Sequence, residues 1–130
     1  MDVIAEIKAR LANYPETQLV ETPTSMEVLP QDDAGFPVTL HVTDAGFTVH
    51  FAGWHEGFAS RKQALNCFAF GLSDACRLCV VYRGAMPTKW IVEAQRDGTW
   101  VADSETGLIL IPFWLPRRIV YLQNRLLPAT

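Results

Sequence analysis

Charge, cysteine, histidine and long apolar runs are all scarce in this chain, and each scarcity excludes something. Charged residues are only 19% of 130, and no dense stripe of lysine and arginine is present, which argues against nucleic acid as a partner. No apolar run approaches the roughly 20 residues that span a bilayer, so no membrane segment is expected. The N-terminus, MDVIAEIKARLANY, has an acid at position 2 and lacks the basic region, apolar stretch and small-residue cleavage site of a secretory signal. The three cysteines, Cys67, Cys76 and Cys79, are an odd number without an export signal, a pattern that points to a reducing cytoplasm. No internal repeat or low-complexity segment occurs. The length suffices for one domain, 1–130, that buries roughly two thirds of its unfolded-chain surface without a disulfide or metal.

What is present is unevenly charged. Residues 1–37 hold seven acids against Lys8 and Arg10, a balance of −5, which leaves +2 for the remainder of a chain at −3. Val3, Ile4, Ile7 and Leu11 recur at helical spacing behind Asp2 as an N-cap, and Pro15 limits this first helix. Four prolines and five acids make 15–37 an acidic connection, mostly loop, with a short edge strand at Met26–Leu29.

Val38, Leu40 and Val42, then Phe47, Val49 and Phe51, alternate with polar residues and predict a hairpin. An Ala45-Gly46 loop sets Val42 opposite Val49 and His41 opposite His50. That histidine pair is the sharpest candidate for metal ligation or pH sensing, although no spacing specifies a third ligand. Histidines are also common on a polar strand face.

Trp54-His55-Glu56-Gly57-Phe58 reads as a loop before a capping box, Ser60 to Gln63, and a helix over about 61–75. HExxH is absent, because Ala59 stands at its last position. Leu65, Phe68, Ala69, Leu72 and Cys76 form one stripe of this helix, and Cys67 and Phe70 lie opposite, a second apolar face for a neighbouring helix or a second subunit. Cys76 and Cys79 have CxxC spacing, but at a helix end, where the partial negative charge disfavours a thiolate.

Leu78–Tyr82 is continuously apolar, as in a central strand covered on both faces. Asp97-Gly98 predicts a hairpin that pairs Ala94 with Val101 and Gln95 with Trp100. Trp100 then lies on the more polar face, either beneath a helix or as a platform for a flat ligand or partner. Leu108–Phe113 reads as a further strand. Pro116 opens a last helix with Leu115, Ile119, Leu122 and Leu126 on one side and Val120 and Leu127 on the other, and Arg118 and Arg125 flank it.

The predicted fold is therefore α+β: a central antiparallel sheet of about five to six strands in the order helix, strands, helix, strands, helix, with helices on both faces. That order is similar to roadblock-type and other profilin-like domains, and to acidic dimeric secretion chaperones. The similarity rests on element order alone and carries no motif. It implies work through protein contacts. No spacing specifies a nucleophile with its base, a cofactor or a full ligand set. The expected function is that of a small cytosolic, non-enzymatic interaction domain, with a protein partner or a homodimer contact through Cys67, Phe70, Val120 and Leu127. The alternative is a small enzyme or ligand-binding domain with an aromatic pocket of Trp54, His55, Arg83, Trp90 and Trp100.

Overall fold

Helix α1 (Val3–Leu11) starts where Asp2 Oδ1 accepts the Ala5 N–H at 2.7 Å, and its buried stripe is Val3, Ile4, Ile7 and Leu11. A computed structural model describes residues 2–127. Five strands then run as an antiparallel meander: β1 (Leu19–Thr22), β2 (Ser25–Val28), β3 (Val38–Thr43), β4 (Gly46–Phe51) and β5 (Trp54–Phe58). Helix α2 (Arg61–Leu72) follows, with Ser60 Oγ accepting the Gln63 N–H. A second antiparallel sheet has the order β8-β7-β6-β9, from β6 (Cys76–Arg83), β7 (Met86–Arg96), β8 (Thr99–Gly107) and β9 (Arg117–Leu122).

The single central sheet is thus corrected to two sheets, of five and four strands, with two helices among the described residues. Both helices pack on the inner face of the first sheet, and α2 also touches β6. This explains the two apolar sides of α2: Ala64, Phe68 and Leu72 are buried, while Cys67 and Phe70 are half-buried and pack on the same core. One core runs from α1 through Met26, Leu40, Val49 and Phe51 to Leu78, Val80 and Val92 of the second sheet. No helix among the described residues packs on the outer face of the second sheet, so helices on both faces are also corrected.

Three further expectations fail for identifiable reasons. Leu108–Phe113 is an irregular segment, because Pro112 lacks a ladder donor and Pro116 follows closely. The last helix is strand β9: Ile119, Val120 and Tyr121 are β-branched or aromatic, and strand alternation fits them as well as helical spacing does. Without that helix, the element order behind the resemblance to profilin-like domains is gone. The acidic 15–37 connection contains the β1–β2 hairpin, so β2 lies inside the sheet with β1 at the edge.

Register was partly legible. Ala94 pairs with Val101 and Gln95 with Trp100 around Asp97-Gly98, both at positive φ as a type I′ turn requires. The β3–β4 hairpin instead turns at Asp44-Ala45 and pairs Leu40 with Val49 and Val38 with Phe51. This two-residue shift keeps every side chain on its expected face but makes His41 and His50 diagonal rather than directly opposed.

Candidate functional site

The most unusual surface is the ridge between β8 and β9. Ile109 is 97% exposed, Leu110 86%, Phe113 74% and Trp114 73%. Globular chains rarely hold so many large apolar side chains together in water. The segment is held at both ends. Leu108 N–H donates to the Thr88 carbonyl at 2.9 Å, Gly84 N–H to the Pro116 carbonyl at 2.8 Å, and Leu115 N–H closes a turn on the Pro112 carbonyl. Arg83 reaches from β6 to the Phe113 and Leu115 carbonyls, both at 3.5 Å. Arg83, expected in a ligand pocket, supports this ridge.

Strand β9 leaves the ridge directly and, among the described residues, is an edge of its sheet that pairs with β6 alone. Its Ile119 and Tyr121 are exposed, and Val120 is half-buried. Leu127 packs against the core, and its backbone bonds to Leu72 and Asp74. The residues first picked for an interface, Cys67, Phe70, Val120 and Leu127, are therefore all at least half-covered within the chain. The ridge residues carry the exposed apolar surface instead.

The expected aromatic pocket does not assemble. Trp54 is buried against Phe51, ring centroids 4.6 Å apart, and its indole N–H donates to Ser104 Oγ at 3.2 Å. Trp90 lies over Gly53, where a Cβ would meet its ring at 2.3 Å. Trp100 belongs elsewhere: the Arg77 guanidinium is sandwiched between Trp100, 4.7 Å to the centroid, and Tyr121, 4.1 Å, while Glu93 pairs with it. Trp100 is thus a platform for a cation of its own chain. That stack borders a cleft of about 410 Å³, shared with Phe36, Gln31, Gln123 and Arg125.

All three histidines share the open outer face of the first sheet. His50 pairs directly with His55 on β5, ring centroids 5.5 Å apart, and His41 lies 5.1 Å from His50. His55 was expected in the aromatic pocket rather than beside the other histidines, because Trp54–Phe58 reads as a loop; Trp54 and Phe58, which pair with Phe51 and Phe47, were the available strand signal. Partial burial, then the neighbouring charges of His41 and His55, push His50 below the usual imidazole range.

The cysteines offer no thiolate. Burial pushes the Cys67 thiol up to about 12, and Cys76 and Cys79 also upward. Cys76 and Cys79 lie within β6, so the CxxC spacing puts their side chains on opposite faces of the sheet. No helix among the described residues is long and apolar enough to cross a membrane. No family model matches the chain, and the comparison with curated proteins and solved structures finds no similar protein.

Proposed function

We propose that the chain is a non-enzymatic, self-associating interaction domain whose contact is the 108–115 ridge together with the β9 edge. The observation that carries this reading is the exposure of Ile109, Leu110, Phe113 and Trp114 on one backbone-anchored segment. The two rings alone offer on the order of 300 Å², and the flanking aliphatic side chains extend this toward the roughly 800 Å² per partner of a stable interface. The occupant we infer is a second copy. An open edge strand pairs most simply with its own equivalent across a twofold axis. Antiparallel pairing centred between Ile119 and Val120 sets Arg117 across from the partner's Leu122 and Arg118 across from the partner's Tyr121. Like charges then lie at opposite ends of the contact. The half-buried and buried thiols fit a reducing compartment such as the cytoplasm.

Native mass by size-exclusion light scattering tests the proposal. A dimer near 29 kDa, twice the 14.6 kDa chain, is expected at micromolar concentration. Ile109→Asp with Phe113→Asp should return a folded 14.6 kDa monomer. A parent that is monomeric at every concentration refutes self-association, and the ridge would then face a different protein or a lipid surface.

A further inference from the structure

The open histidine row is separate from the ridge and takes no part in the proposed contact. We propose that His41, His50 and His55 form a site for one late first-row divalent ion of the zinc, nickel or copper class, with the central His50 as the indispensable ligand. Two imidazoles bound at 2.0–2.1 Å with a tetrahedral angle between them hold their ring centroids about 5 Å apart. The observed separations are 5.1 Å for His41 and His50 and 5.5 Å for His50 and His55. The strands therefore already supply that spacing for the two adjacent pairs, and His41 and His55, one strand to either side of His50, must close on the ion by turning their rings.

Orientation is what the rings lack. They stand at 83° and 30° to one another, and no three His, Cys, Asp or Glu side chains among the described residues converge on an ion position. His41 and His55 are exposed, so turning them about their side-chain torsions disturbs no packed core. Two hydroxyl residues stand on the same face at neighbouring register positions, Thr39 opposite His50 and Thr48 opposite His41. Such groups accept the second ring N–H, fixing the tautomer that presents the other nitrogen to the metal. The nearest acid on that face along the row is Glu27, which pairs with Thr39 one strand beyond His50 and accepts the Thr39 hydroxyl at 3.4 Å. An all-imidazole set favours late transition ions over magnesium or calcium, which demand oxygen.

The test is titration of the full chain, without a histidine tag, with zinc by calorimetry and with cobalt by visible absorption. Saturable one-to-one zinc binding, cobalt d–d bands and no response to magnesium are expected. His50→Gln should abolish binding, and His41→Gln and His55→Gln should each weaken it about tenfold. Because His50 is half-buried, the double variant of exposed His41→Gln and His55→Gln provides a second check, with an expected loss of more than tenfold. Absence of saturable binding overturns the proposal. So does binding that survives in both variants, which would place the ion on the cysteines.

Discussion

Asn124 holds three separated segments together, and replacing it should be among the most damaging polar substitutions. It is 8% exposed; its Oδ1 accepts the Phe36 N–H at 3.1 Å, and its Nδ2 donates to the carbonyls of Phe36 at 3.0 Å and Gly71 at 2.9 Å. Those bonds join the segment after β9 to the loop before β3 and to the end of α2. Each is worth about 1 kcal/mol net, and the orphaned Phe36 N–H raises its own share, so Asn124→Ala should cost about 3 kcal/mol. At about 4 °C per kcal/mol for a chain of this size, Tm falls by about 12 °C. Asn124→Asp is the sharper perturbation. It keeps the acceptor for Phe36 but turns an ionised oxygen toward two carbonyls that had received a donor. Burial and those carbonyls raise its folded-state carboxyl above the usual range, so the folded state binds the proton more readily than the unfolded chain. Relative to the parent, this variant should therefore gain stability as pH falls from 7 toward 4. Urea unfolding followed by circular dichroism at several pH values measures both effects. An alanine variant within about 0.5 kcal/mol of the parent, or an aspartate variant with no relative pH dependence, would refute the reasoning.

Three other outcomes are expected. Gly71→Ala gains about 1 kcal/mol of helix propensity, but its Cβ would lie 2.3 Å from the ring of Phe51, which is wholly buried against Phe36 and Trp54. Overpacking of 1–3 kcal/mol should win, and thermal melts should show net destabilisation. The Arg61 hydrogen bond, aided by Arg10, holds the Glu6 carboxyl below the usual range, so its contribution is present above about pH 4.3 and lost as pH falls through the folded-state value. Glu6→Gln should accordingly flatten the acid limb of the stability profile in that window and leave a smaller pH dependence there than the parent shows. Cys76, wholly buried and with its thiol raised by that burial, should react with a thiol reagent at pH 8 only as fast as the chain unfolds; rapid labelling of Cys76 in the folded protein would contradict its burial.

Local chemistry was legible wherever one signal was unopposed. Asp2 and Ser60 cap their helices, Asp97-Gly98 turns its hairpin, and Leu78–Tyr82 lies inside its sheet. The second sheet was not legible as a separate sheet, because strand patterns do not say which strands share hydrogen bonds. The last helix failed because Ile119, Leu122 and Leu126 satisfy a helical period while Ile119–Leu122 also forms a strand, and pairing with β6 decided between them. At the candidate surface, the apolar residues were visible, but Leu108–Phe113 read as a further strand and Leu115 as part of the last helix. Only the fold shows them outside. His55 joined His41 and His50 only when β5 replaced a presumed loop.

Hydrogen exchange of backbone amides above and below the concentration at which the native mass changes locates the contact most directly. The account predicts added protection at high concentration confined to the 108–115 ridge and to the β9 amides of 117–122. Protection that stays concentration-independent there, or that arises instead on the histidine face, would contradict it.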